Sequence, residues 1–197
     1  MSLQLTARRM AAFSDGVIAV IITVMVLDLK VPAHNLSDLN AMRKVLPMVV
    51  IYALSFVEVG IYWVNHHYMV DDVEQVSHGL LWANLGFLFT LSLIPFGTAW
   101  VGERGLTPFA LSLYTICCAL PAVSWIVLSI VVRRRTHTLL AGSPIKQGVS
   151  SALYVGVIPV SYHSLTTAIV MLAAVAMLWL IPPRRVLEIT QARSRDL

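Results

Sequence analysis

The chain has 197 residues, of which 58% are hydrophobic and only 12% charged, with a mean hydropathy of +0.79 and a net charge of +4. A soluble domain carries about 25% charged residues, so this composition excludes one and points to an all-α, polytopic membrane protein. The basic excess must then sit in loops, where it reports membrane topology and not a nucleic-acid partner.

The first apolar stretch spans residues 11–29 and follows Arg8 and Arg9. It superficially resembles a signal peptide, but it exceeds the usual h-region of about 7–15 residues and no small-residue cleavage site follows. It is therefore expected to stay as the first membrane helix. Ser14 and Asp15 lie near its start, and beyond Val17 polar residues almost vanish. Val20, Val24 and Leu27 share one stripe with Thr23 on its flank, and Phe13, Val17, Val20, Val24 and Leu27 repeat at the spacing of a single helical seam. Such a stripe suits either an axial path or plain packing against lipid or core. Ile22 and Val26 fall on the opposite face and are expected to pack.

Further spans are expected at 45–65, 79–100, 107–132, 148–162 and 164–181, since a crossing needs about 17–25 apolar residues. The fifth is short and contains Pro159, which leaves a re-entrant segment as its alternative. Charge favours six crossings with both termini cytoplasmic. The inner segments then hold Arg8, Arg9, Arg133, Arg134, Arg135, Lys146 and four C-terminal arginines, and the outer loops hold only Lys30, Arg43, Lys44 and Arg104. The acidic loop 66–78 does not offend the rule, because acids weigh little in it. Pro47, Pro95, Pro121 and Pro159 each remove a backbone donor and can kink a helix. Cys117 and Cys118 read as small packing residues, because a disulfide between neighbours is strained. Residues 1–197 read as one transmembrane domain without a linker.

In this topology Arg9, Ser14, Asp15, Trp63, Asn65, His66, His67, His78 and Asn84 fall at one depth near the cytoplasmic face. A buried carboxylate there requires donors. The layer is expected to clamp helices together or to act directly in conduction or proton handling. Asn65, His66 and His67 do not make a metal site, since adjacent helical side chains diverge by about 100 degrees. Glu58 in the second span is a separate intramembrane acid, either functional or the partner of a hydroxyl or arginine.

The pattern Arg9-x-x-x-Phe13-Ser14-Asp15-Gly16, then Ala19-Val20-x-x-Thr23-x-x-x-Leu27-Asp28, resembles the first helix of the transmembrane protein 175 potassium-channel family. The resemblance continues through Trp63-x-x-His66 and Asn84…Leu91…Ile94-Pro95-Phe96, covering about the first hundred residues. It implies a single-repeat, prokaryotic-type subunit of six helices, four of which assemble around a pore lined by the first helix. By position it implies a constriction at Val20, Val24 and Leu27, with valine where isoleucine is common at 20, and a selectivity-associated hydroxyl at Thr23. Arg9, Phe13, Ser14, Asp15, Trp63, His66 and Asn84 would form the inter-helix clamp. The implied function is a potassium-preferring cation leak channel in the cell membrane, with potassium as the permeant ion, no cofactor, and lipid and its own copies as partners. The alternative is a proton-coupled transporter using Glu58, Asp15 and His66, although no matching halves of the chain support it. An intramembrane enzyme finds no nucleophile–base pair or metal motif.

Overall fold

The computed structural model describes residues 6–32, 37–71, 73, 75–136 and 144–180, and every regular element among them is helical. Helix α1 (Ala7–Val24) tightens into a 3-10 turn at Met25–Asp28. It is followed by α2 (Asp38–Asp71), α3 (His78–Leu91), α4 (Ile94–Arg104), α5 (Pro108–Thr136), α6 (Pro144–Ser161) and α7 (Leu165–Leu180). Four stretches are long and apolar enough to cross a bilayer: Ala7–Asp28, Asp38–Val70, His78–Arg104 and Pro108–Arg134. The chain is a membrane protein.

The span expected at 79–100 is two helices, broken at Ser92–Leu93. Pro95 has no N–H to give the carbonyl of Leu91, and its ring disfavours continuous α geometry before it. The turn compensates locally. The Ser92 amide donates to the Leu88 carbonyl at 3.0 Å, the Leu93 amide to Thr90 at 3.1 Å, and the Ser92 hydroxyl to Phe89 at 2.7 Å. The second span lies inside a longer helix, which reaches Asp71 where sequence places a loop from residue 66; Met69 and Val70 are buried, which holds the last turn. The fifth span is a continuous helix of 18 residues, about 27 Å long at about 1.5 Å per residue. The sixth is α7, 16 residues, and both are short against a hydrocarbon core of about 30 Å. The four C-terminal arginines of the topology count lie outside the described residues.

Two apolar cores stack along the bundle. One gathers α1, the second half of α2, α3 and the second half of α5 around Ile18, Val59, Phe87 and Trp125. The other gathers the first half of α2, α4, the first half of α5, α6 and α7 around Ile51, Leu111, Tyr114 and Leu172. Between α2, α4 and α5, the Ser55 hydroxyl oxygen lies 2.8 Å from that of Thr98 and 3.0 Å from that of Tyr114. Gly97 lets α4 approach α5: a Cβ there would stand 3.0 Å from the Cβ of Cys117 and 3.2 Å from the Cα of Tyr114. Both cysteines are free and buried.

Candidate functional site: the first helix and its anchors

Helix α1 has two faces. Met10, Ser14, Ile18, Ile21 and Met25 are buried against α2 and α3, at intervals of three and four residues that keep one side of the helix inward. On the other side Val20 is 60% exposed, Val24 44% and Leu27 75%, with Phe13 and Thr23 exposed beside them. The other described helices of the chain leave this stripe uncovered. The Thr23 hydroxyl donates back to the carbonyls of Ala19 at 3.0 Å and Val20 at 3.1 Å, which commits its proton and leaves oxygen lone pairs outward. Ile22 packs against the core as expected, but Val26 is exposed. Val26 lies in the 3-10 turn, whose advance of about 120 degrees per residue carries it away from the α-helical register.

The polar residues at the start of α1 reach two neighbours. Asn84 on α3 donates from its side-chain nitrogen to the Ser14 hydroxyl at 2.9 Å, and Ser14 donates on to the Met10 carbonyl at 2.9 Å. The Asn84 oxygen lies 2.7 Å from Nε2 of His66 on α2. His66 is only 1% exposed and Asn84 2%, so this chain joins three helices in the dry interior. The imidazole stacks on Phe87, centroids 5.9 Å apart and planes 10° from parallel. Asp15 has a separate partner, the indole Nε1–H of Trp63, which donates to Oδ1 at 3.0 Å.

The structure thus brings together Ser14, His66 and Asn84, and separately Asp15 and Trp63. It does not bring Arg9 or Phe13 into either set; both side chains are exposed. Helix register explains this, because Arg9 and Phe13 are each turned about 100 degrees away from the buried Met10 and Ser14. Asn65 turns back to the Ile61 carbonyl, and His78 accepts from Trp82 on its own helix. At the far end of α1, Lys30 pairs with Glu103 at 2.8 Å, fixing the end of α1 beside the end of α4. The carboxylate raises the lysine's pKa above its ordinary value by accepting its hydrogen bond.

Glu58 belongs to neither set. Its Oε1 accepts from the hydroxyl of Tyr154 on α6 at 2.7 Å. Glu58, Asp15 and His66 therefore occupy three separate hydrogen-bonded groups, and among the described residues no relay of hydrogen bonds links them. Sequence reasoning missed Tyr154, and also the Ser55–Thr98–Tyr114 group. The signal for both was available as hydroxyls inside apolar spans, but their pairing depends on contacts across 43 to 96 residues. Among the described residues no cluster of three His, Cys, Asp or Glu side chains could hold a metal ion.

The anchored half of the chain coincides with a recognised unit. Residues 9–95 match the family described as "Endosomal/lysosomal potassium channel TMEM175". A protein of Chryseobacterium named as a potassium channel is 38% identical over 187 residues, covering 92% of this chain and 96% of that one. The chain belongs to the TMEM175 family. A human member, named as an endosomal/lysosomal proton channel, is 23% identical over 114 residues, which cover 56% of this chain and 23% of that protein. The fold is that of the family: a crystal structure of a TMEM175 homologue from Chamaesiphon minutus, titled as a lysosomal potassium-selective channel homologue, superposes with a TM-score of 0.69. It covers 88% of this chain and 96% of its own, at 23% identity.

Proposed function

We propose that this TMEM175-family chain is one subunit of a potassium-preferring cation leak channel, a homotetramer in which α1 of each subunit lines the pore. The observation that carries the reading is the uncovered stripe of Val20, Thr23, Val24 and Leu27, backed by the buried anchors of the same helix. An apolar stripe with its opposite face fixed to the bundle can project to a common axis without tilting. Closed cyclic symmetry is the usual outcome for copies of one chain. The Chryseobacterium relative, named as a potassium channel, supports potassium as the permeant ion.

Four copies of Val20, Val24 and Leu27 make three apolar rings, about one helical turn apart. Water leaves such a neck as it narrows, and an ion must shed much of its shell to pass. Potassium is less strongly hydrated than sodium, so dehydration favours it without a cage of carbonyls. Four Thr23 oxygens, their protons committed to the backbone, offer neutral lone pairs within that neck. Ser14, Asn84 and His66, with Asp15 and Trp63, hold the helix at its base, and Arg9 and Phe13 complete the clamp across subunits. A channel of this kind does no enzymatic chemistry and needs no cofactor. It sits among cell-membrane lipids with both termini cytoplasmic, as the distribution of basic residues supports.

The test is the reversal potential under potassium-to-sodium gradients, with native mass in detergent. Val24→Ala or Leu27→Ala is expected to raise current and weaken potassium preference, and Thr23→Ala to weaken preference with less gain in current. Ile22→Ala is expected to cost stability and leave permeation alone. A conducting monomer or dimer, or ring variants with wild-type permeation beside an altered Ile22→Ala, would refute the assignment.

A further inference from the structure

A cavity lies within each subunit, away from α1, between α2, α5, α6 and α7. It extends from Glu58, Tyr154 and Val175 toward the end of the bundle where α2 and α7 finish and α6 begins, marked by Asn65, Gln147 and Trp179. The space open to the centres of water molecules is about 40 Å³, against about 10–15 Å³ for one water.

The chemistry of this cavity is one-sided. Its deep end holds the carboxylate of Glu58, which takes a hydroxyl from Tyr154 but has no ion-pair partner among the described residues. The walls are apolar and aromatic, with Tyr62, Trp125, Tyr154 and Trp179 all lining it. Trp125 and Tyr62 are fixed in place by each other and by Phe87, with centroids 5.3 to 5.9 Å apart. Neutral hydrogen-bonding groups, Asn65, Gln147, Ser150 and Ser151, make up the rest of the polar lining. A carboxylate that is to stay ionised at membrane depth needs a positive partner as well as its hydrogen bond from Tyr154, and aromatic rings around a cavity attract cations through their faces. An alkali ion would have to exchange its water for mostly carbon. An organic ammonium instead gives its charge to the acid and its carbon chain to the walls.

We propose that the Glu58 cavity is a binding site for a small primary alkylammonium, one per subunit, with the ammonium group on Glu58 and the alkyl chain among Tyr62, Trp125 and Trp179. The inference does not depend on how the first helix is used.

Isothermal titration of the purified protein in uncharged detergent with propylammonium chloride tests it, with potassium chloride and 1-propanol as matched controls. The expected result is saturable binding of one equivalent per chain, absent for both controls. Glu58→Gln keeps the shape and an acceptor for Tyr154, and is expected to weaken binding at least tenfold. Trp179→Leu leaves the carboxylate in place and is expected to weaken it at least threefold. Should Glu58→Gln not elute as the wild-type assembly, Trp179→Leu decides alone. No saturable heat, equal binding of potassium, one equivalent per assembly, or affinity unchanged in the deciding variant would overturn the proposal.

Discussion

Replacing Asn84 by alanine tests the anchoring of the first helix directly. Asn84 is almost wholly buried and holds two hydrogen bonds, one to Ser14 and one to His66. Ser14 keeps its own bond to the Met10 carbonyl when Asn84 is gone, so its proton remains satisfied and its loss is small. His66 does not share that security: among the described residues its ring makes no hydrogen bond besides the one to Asn84, and the ring is buried between helices. A stranded buried donor costs about 1–3 kcal/mol. Inter-helix hydrogen bonds within membranes average about 0.6 kcal/mol, with a maximum of about 1.7, because the unfolded chain also finds partners in lipid. Asn84→Ala is therefore expected to destabilise the fold by about 1–2 kcal/mol, and Ser14→Ala by about 0.5 kcal/mol. A double-mutant cycle between Asn84→Ala and His66→Ala should return a coupling of about 1 kcal/mol, since the second change removes the group that the first one strands. The assay is reversible unfolding in mixed micelles with rising sodium dodecyl sulfate, followed by circular dichroism. If Ser14→Ala costs more than Asn84→Ala, or if the cycle returns no coupling, the stranded-imidazole argument fails.

Gly97→Ala is expected to cost about 1 kcal/mol: overpacking against Cys117 and Tyr114 costs about 1–3 kcal/mol, partly offset by the better helix propensity of alanine. Gly86→Ala, at an exposed position where a Cβ meets nothing within 4 Å, should be neutral or slightly stabilising, and the same unfolding assay compares them. The Lys30–Glu103 pair is exposed, with about two-thirds of each side chain open to solvent, so Lys30→Gln should leave the unfolding midpoint at neutral pH almost unchanged, and added salt should erase any remaining difference. Because the pair raises the lysine's pKa and lowers that of Glu103, its small contribution is present between the ordinary values of the two groups, and wild type and Lys30→Gln should converge both as pH rises through the raised lysine value and as it falls through the lowered carboxylate one. A difference between them that grows above pH 11 would contradict the sign.

Hydropathy and residue period made the helical class and the two faces of α1 legible, because burying Ile18 and Ile21 while leaving Val20 and Val24 out follows from a turn of about 3.6 residues. Depth was legible too: Ser14, His66 and Asn84 could be placed at one level from span order alone. Rotation of one helix against another was not. Whether Asp15 meets Arg9 or Trp63 depends on which flank each helix turns toward its neighbour, and hydropathy carries no such angle. The interruption at Ser92–Leu93 was half visible, since Pro95 announces a lost hydrogen bond. Only the hydroxyls and amides available around it decide between a kink and a full break. Tyr154, the partner of Glu58, lies 96 residues away, and nothing local to either residue predicts the contact.

The way α5 threads both cores bears on how the chain matures during synthesis. Its second half supplies Trp125, Leu128 and Val132 to the same apolar cluster as Ile18 and Phe87. Everything through residue 104 can leave the ribosome and enter the bilayer as separate helices, yet Phe87 and Tyr62 lack the Trp125 ring until α5 is made. Until α5 is made, the apolar cluster shared by the first three helices lacks Trp125, Leu128 and Val132. The hydrogen bonds that anchor α1 need nothing beyond residue 84, whereas the apolar cluster around Ile18 is completed only when Trp125 arrives.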